Sequence, residues 1–170
     1  MPPLHGGGRG VRTTLRTLAF AVAAATLVLD QVTKEWLLRL MAENPGGIPV
    51  TSFFDLVMVW NRGVSFGLFN NGDADAQRWI LIALSLVIVA VLVVWLWRAN
   101  TPLLAVAIGL VIGGAIGNVV DRLRFGAVAD FLSFHLGEYY WPAFNVADAA
   151  IVCGVGLLLL DSLWPAAGKR

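Results

Sequence analysis

The sequence predicts an all-α integral membrane protein with four transmembrane helices, a small extracytoplasmic β-rich cradle and a short outer loop or helix. Three observations support this fold class. The 170 residues are 58% hydrophobic and 14% charged, whereas soluble domains average about 45–50% and about 25%. Two uncharged segments each approach the length of about 20 residues that a spanning helix needs. Two shorter apolar segments reach that length only if they include an acidic residue near one end.

The first element is a helix over about residues 14–34, preceded by a tail over residues 1–13. The tail is rich in glycine, which is typical of disordered segments. The apolar stretch from Thr17 to Leu29 is too short to span alone, so the helix includes Asp30. A cleaved signal peptide is the alternative, because arginines precede the apolar stretch. Charged residues follow it, however, where a small-residue cleavage site is expected, and we predict a retained helix.

An outer β-rich segment is predicted over about residues 44–72. The run IPVTSFFDLVMVW, from Ile48 to Trp60, concentrates β-branched and aromatic residues between PGG and NRG. This pattern is typical of strands that end in turns.

Two helices follow, over about residues 78–98 and 101–122. The stretch from Trp79 to Trp97 is interrupted only by Ser85, and the next uncharged stretch begins after a short turn. The second of these helices carries a glycine at every fourth position, which predicts close packing against a neighbouring helix. These glycines are Gly109, Gly113 and Gly117.

The last elements are an outer connection and a fourth helix over about residues 143–163. The connection contains VADFLSFHL, which fits strand as readily as helix, and EYYWP, whose aromatic residues settle at the headgroup level. Residues 166–170 form a second tail, so that residues 14–165 make one membrane-embedded domain. Three arginines precede the first helix and favour the cytoplasmic side, so both termini are predicted in the cytoplasm.

Polar residues cluster at one predicted depth of the four spans. An aspartate at the centre of a spanning helix costs about 2.5–3.5 kcal/mol, and such residues usually face a bundle interior or a water-filled cavity. We therefore predict one outward-facing pocket lined by these side chains. They are Asp30, Lys34, Asn118, Asp121, Arg122, Asn145 and Asp148, joined by Asp130 from the outer connection.

Structural explanations exist for several of these residues. Asp30 and Lys34 are four apart and fit an ordinary helix ion pair. Asn145 fits a helix N-cap, with Asp148 favoured by the helix dipole. Arg122 near an interface fits a side chain that extends its charge toward water. Residue spacing leaves these alternatives open.

A pair of carboxylates offers a chemistry for the cluster. Two such groups held close together share one proton, so that one acts as a base toward water and the other donates to a carbonyl oxygen. This pairing hydrolyses an amide without metal or cofactor, and none is predicted, because His5 and His135 have no ligand-spaced companions. Cys153 lies inside an apolar span and cannot form an internal disulfide. Spacing does not decide which two acids pair.

Five motifs carry a resemblance to a known family. They are DQVTK (Asp30–Lys34), NRGVSFG (Asn61–Gly67), GGAIGNVVDR (Gly113–Arg122), VADF (Val128–Phe131) and FNVAD (Phe144–Asp148). In this order they closely resemble the bacterial lipoprotein signal peptidase family, signal peptidase II. The resemblance implies an aspartic endopeptidase of the bacterial inner membrane, with its active site near the outer leaflet, that cuts diacylglyceryl-modified prolipoproteins before the lipidated cysteine. It also implies contact with membrane lipid and inhibition by globomycin-type compounds, and we expect a monomer.

The family's pattern implies residue roles as well. Asp130 and Asp148 match the catalytic dyad. Other matching positions contact the substrate or support the dyad: Asn61, Asn118, Asp121, Arg122, Asn145, Asp30 and Lys34. The resemblance further implies a short helix over the site, within Leu132 to Pro142.

The main alternative is a small proton-coupled membrane transporter, which also gathers acids inside a bundle. A transporter predicts carboxylates spread across the membrane, whereas only Asp161 lies toward the other end of these spans. A purely structural role does not explain why these polar residues would be clustered. A lipoprotein is a further alternative, but the sequence around Cys153 lies near the carboxyl end and places bulky Val152 where a small residue is needed. The net charge of +1 gives no indication of nucleic-acid binding.

Overall fold

The computed structural model describes residues 7–63 and 74–163, with side chains for all of these except residues 7–9 and 74. The four helices in this part of the chain are all long and apolar enough to cross a membrane, as predicted. The elements in chain order are α1 (Gly7–Glu43), β1 (Ile48–Thr51), β2 (Phe54–Asn61), α2 (Ala74–Leu96), α3 (Pro102–Phe125), β3 (Val128–Leu136), β4 (Tyr139–Tyr140) and α4 (Val146–Leu163).

α1 is longer than the sequence indicated at both ends. It begins at Gly7, inside the predicted disordered tail, and it continues beyond residue 34 to Glu43. No proline lies between Pro3 and Pro45 to interrupt it. Its last turns are fixed by packing, because Leu37 and Met41 are buried. Residues 1–6 and the predicted tail over 166–170 lie outside the described residues, as does the second half of the NRGVSFG motif.

α3 is the central helix, and its small residues allow the other helices to approach closely. A Cβ added at Gly113 would lie 2.5 Å from the carbonyl oxygen of Ala23 in α1. On α4, a Cβ at Gly154 would lie 2.6 Å from the side chain of Val111. These distances confirm that the glycine repeat of α3 serves helix packing.

Thr101 caps α3 by accepting a hydrogen bond from the backbone N–H of Leu104, 3.1 Å away.

The strands form one antiparallel sheet in the order β1-β2-β3-β4. Strand β2 pairs with β3 so that Val59 lies opposite Asp130. The strands predicted between Ile48 and Trp60 are thereby confirmed.

The short outer helix implied for residues 132–142 is wrong for this chain, since β3 and β4 occupy that segment. Cross-strand packing explains the difference: the rings of Phe54 and Phe134 lie 4.8 Å apart across β2 and β3. Gly137 turns the chain with a φ of 60°. The start of α4 is then joined to β3, because Leu132 and Phe144 exchange backbone hydrogen bonds of 2.9 and 3.1 Å.

Candidate active site

Asp130 lies on β3 with its side chain almost completely buried, at 1% exposure. Both carboxylate oxygens accept hydrogen bonds from amide side chains. Asn145 Nδ2 donates to Oδ1 at 2.7 Å, and Asn61 Nδ2 donates to Oδ2 at 3.0 Å. Strand pairing explains the second contact, because Asn61 lies on the same face of β2 as Val59, the partner of Asp130.

The pKa of Asp130 is raised from 3.8 to about 6, and the largest cause is burial, because the charged form loses its hydration. The nearby charge of Asp148 contributes to the rise. The hydrogen bonds from Asn61 and Asn145, together with the charge of Lys34, lower it in part. The carboxyl group therefore exchanges a proton close to neutral pH.

Asp148 lies in the first turn of α4, where it joins a reciprocal helix cap. Its backbone N–H donates to Asn145 Oδ1 at 2.9 Å, and the backbone N–H of Asn145 donates to Asp148 Oδ2 at 3.2 Å. The N-cap interpretation from the sequence is thus confirmed. The cap leaves Oδ1 of Asp148 available, and Asn118 Nδ2 donates to it at 2.8 Å.

Asn145 connects the two aspartates. Its side-chain amide donates to Asp130 and its backbone N–H donates to Asp148. The residue is fully buried, at 0% exposure. A single rigid residue therefore holds one carboxylate of the sheet and one of α4.

Beneath the aspartates lies a buried ionic cluster of Asp30, Lys34 and Asp121. Lys34 Nζ lies 2.9 Å from Asp30 Oδ2 and 2.8 Å from Asp121 Oδ2. It also donates to Asn118 Oδ1 at 3.3 Å. The ion pair predicted within α1 is present, but the lysine also links α1 to α3.

The two acids of this cluster extend it to the other elements of the site. Asp30 Oδ1 accepts from the backbone N–H of Ala147 in α4 at 3.0 Å. Asp121 Oδ2 accepts from the backbone N–H of Ala129 in β3 at 3.1 Å. The positions of Asp130 and Asp148 therefore depend on groups far away in the sequence.

Gln31 is a member of the site that sequence reasoning missed. Its Nε2 lies 3.1 Å from Asp30 Oδ2 and 3.0 Å from Asp121 Oδ1. The available signal was its place inside the DQVTK motif, where a polar side chain accompanies two charged ones at the depth of the cluster.

Arg122 is partly buried on the last turns of α3, within the electrostatic reach of Asp148, Asp121 and Asp130. Its NH1 donates to the carbonyl oxygen of Asn118 at 3.3 Å. Its Nε is buried and has no hydrogen-bond partner within the described residues.

All nine residues singled out from the sequence therefore meet in one region, linked by the contacts above. The arrangement supplies a proton-exchanging carboxyl group, a second carboxylate and several fixed donors. The described residues contain no group of three or more His, Cys, Asp and Glu side chains placed to hold a metal ion. His135 instead lies beside Asp55, with Nε2 and Oδ2 3.3 Å apart.

Comparisons with known proteins show close relatives. A family model described as Signal peptidase (SPase) II matches residues 22–164. The lipoprotein signal peptidase of Methylorubrum extorquens (strain PA1) is 52% identical over 145 residues, covering 84% of this chain and 83% of its own. That of Azoarcus sp. (strain BH72) is 48% identical over 171 residues, covering 100% of this chain and 94% of its own.

Two solved structures share the fold. Both are bacterial membrane enzyme structures obtained by the in meso method, at 2.3 and 1.9 Å resolution, and both are 25% identical to this chain. The first has a TM-score of 0.71 and covers 89% of this chain and 91% of its own. The second has a TM-score of 0.73 and covers 87% and 94%.

Proposed function

The chain belongs to the signal peptidase II family, and on that premise we propose that it removes the signal peptide from diacylglyceryl-modified prolipoproteins. The cut falls just before the lipidated cysteine, through a water molecule activated by Asp130 and Asp148. Family membership makes the chain a peptidase, and a prolipoprotein substrate follows from it. The observation that carries the dyad assignment is the bridge through Asn145, which holds both carboxylates at once.

The two aspartates differ in ways that suit different roles. Asp130 is buried and its pKa is raised to about 6, so it begins the reaction protonated and donates to the carbonyl oxygen. Asp148 is less buried and sits at a helix N-terminus, where backbone N–H groups stabilise negative charge. It acts as the base that accepts a proton from the attacking water.

The reaction then runs in two steps. Water adds to the scissile carbonyl carbon while Asp148 takes its proton and Asp130 gives its own, which forms a neutral gem-diol. Asp148 next gives a proton to the amide nitrogen, the C–N bond breaks, and Asp130 recovers a proton from a hydroxyl of the diol. The products are a signal peptide with a new carboxyl terminus and a lipidated cysteine with a free amino group.

The surrounding residues hold the peptide and the dyad. Arg122, which is partly buried, donates to a substrate backbone carbonyl from the last turns of α3. Asn61 contacts the substrate from β2 while it orients Asp130. Asn118 fixes Asp148, and the buried cluster of Asp30, Lys34 and Asp121 supports Asn118 from below.

The proposal includes the placement of the protein in the membrane. The spanning helices and the family support an integral protein of the bacterial inner membrane. Both termini lie in the cytoplasm and the dyad lies near the outer leaflet. The acyl chains of the substrate then stay in lipid while the peptide bond reaches water.

The test is cleavage of a purified diacylglyceryl prolipoprotein, compared with its unlipidated form. We expect cleavage of the lipidated form only, unaffected by a chelator and blocked by a globomycin-type inhibitor. Asp130→Asn and Asp148→Asn should each abolish turnover. Asp161→Asn is the matched control, because this acid lies at the other end of α4, where it accepts from Thr101.

Near-normal turnover in either dyad variant would overturn the assignment of that residue. Equal cleavage of the unlipidated precursor would overturn the substrate assignment while leaving the peptidase chemistry intact.

A further inference from the structure

A small cleft lies on the face of the sheet opposite Asp130. Its volume is about 300 Å³, and it is lined by Trp60, Arg62, Phe125 and Ala127. The opposite face follows from strand geometry: Val59 pairs with Asp130, and the next residue, Trp60, points the other way. We call this the Trp60 cleft.

The Trp60 cleft is continuous with the surface that the helices present to lipid. Phe125 is the last residue of α3 and is 39% exposed, and its ring lies 5.2 Å from that of Trp60. Leu123, two residues earlier in α3, is 50% exposed. Aromatic side chains at the end of a spanning helix lie at the level of the lipid headgroups.

Among the described residues, the positive charge that Arg62 brings to the cleft has no partner. The other arginines at this end of the helices each have a partner: Arg39 with Glu35, Arg78 with the carbonyl oxygen of Leu123, Arg122 with that of Asn118, and Arg124 with Glu35. Arg62 has no hydrogen bond or ion pair to any described residue, and no carboxylate lines the cleft.

We propose that the Trp60 cleft binds the headgroup phosphate of an anionic phospholipid from the surrounding bilayer. The planar guanidinium of Arg62 matches two phosphate oxygens, while the rings of Trp60 and Phe125 cover the glycerol. Continuity with the lipid-facing surface points to a bilayer lipid as the source. The diacylglyceryl group of a prolipoprotein carries no phosphate, so this ligand is distinct from the substrate.

The cleft is coupled to the site through the strand itself. Trp60 and Arg62 flank Asn61, whose amide donates to Asp130 at 3.0 Å. A lipid that holds both neighbours restricts the motion of Asn61 and favours this hydrogen bond. Anionic lipid therefore raises turnover, a consequence that rests on the proposed role of Asp130.

The primary test measures binding without using activity. The full chain is placed in phosphatidylcholine nanodiscs containing a minor fraction of phosphatidylglycerol, and the retained phosphatidylglycerol is counted by native mass spectrometry. Arg62→Gln should weaken retention about tenfold, the effect of one lost charge-assisted contact. Arg62→Lys keeps the charge and should retain more lipid than Arg62→Gln. Arg39→Gln, which removes an exposed arginine outside the cleft, should match the unmodified protein.

Several results would overturn the proposal. Unchanged retention in Arg62→Gln would do so, as would an equal loss in Arg39→Gln, which would indicate only a diffuse effect of surface charge. Equally strong binding of inorganic phosphate, added alone, would exclude a bilayer lipid as the specific ligand. Normal lipid retention by an unmodified protein that fails to cleave prolipoprotein would support the cleft and refute the proposed function instead.

Discussion

Replacing Asp130 by asparagine should abolish cleavage and yet stabilise the folded protein at neutral pH. The pKa of this buried carboxyl group is raised from 3.8 to about 6, so ionising it is harder in the folded state than in the unfolded one. A group of this kind favours folding below its unfolded pKa, and that contribution is lost as the pH rises through its folded pKa. An asparagine carries no charge and escapes this loss.

The size of the effect follows from the same values. A shift of about two pKa units corresponds to about 3 kcal/mol. Asn61 Nδ2 donates to Oδ2 of Asp130, and an amide nitrogen at that position in the variant costs about 1 kcal/mol. A net gain of about 2 kcal/mol remains, which raises the unfolding temperature by about 6 °C for a chain of this size.

The measurement is thermal unfolding in detergent, followed by tryptophan fluorescence, at about pH 8 and at about pH 3. The gain should appear at the higher pH and disappear at the lower one. Asp148→Asn is the matched control, because its carboxylate caps α4; its loss should lower stability by about 1 kcal/mol. An Asp130→Asn variant that is less stable than the unmodified protein at about pH 8 would refute the reasoning.

Two further substitutions test the partners of the dyad. Asn61→Ala removes a hydrogen bond that stabilises the ionised form of Asp130, so the alkaline limb of the pH profile of kcat/KM should move up by about one unit; an unmoved limb would contradict this. Lys34→Met leaves Asp30 and Asp121 buried without their cation and should cost about 3–5 kcal/mol in the free energy of unfolding. Arg39→Gln removes a surface pair worth less than about 1 kcal/mol, and an equal effect of both variants would show that Lys34 has no special role.

Hydropathy and local pattern were sufficient for much of the fold. Three features depend on residues that are near one another in sequence: the four spans, the strands of the Ile48–Trp60 region and the glycine packing of α3. The boundaries of α1 were not predictable in this way, since burial of Leu37 and Met41 extends the helix beyond Asp30. The secondary structure of the segment that forms β3 was equally ambiguous from the sequence, because pairing with β2 decides that it is a strand.

The candidate site likewise has a part that the sequence predicts and a part that only the folded structure reveals. The sequence identified the polar residues that the structure brings together, and the resemblance supplied the proposed pairing of Asp130 with Asp148. The contacts that orient them join distant parts of the chain, such as Asp30 with the backbone of Ala147, 117 positions away. No local pattern encodes such a contact, and for this reason the part played by Gln31 was missed.

The arrangement of amides explains how a lysine can support the proposed dyad without disabling it. A lysine in direct contact with Asp130 or Asp148 would stabilise the charged form and oppose the proton transfers that the proposed mechanism needs. Among the described residues, neither carboxylate accepts a hydrogen bond from a lysine or an arginine; their side-chain donors are amides. Lys34 can only donate hydrogen bonds, so the atom of the Asn118 amide that faces it must be the oxygen, Oδ1. The amide nitrogen of Asn118 must therefore face Asp148, so Lys34 fixes the donor that Asp148 receives without contacting it.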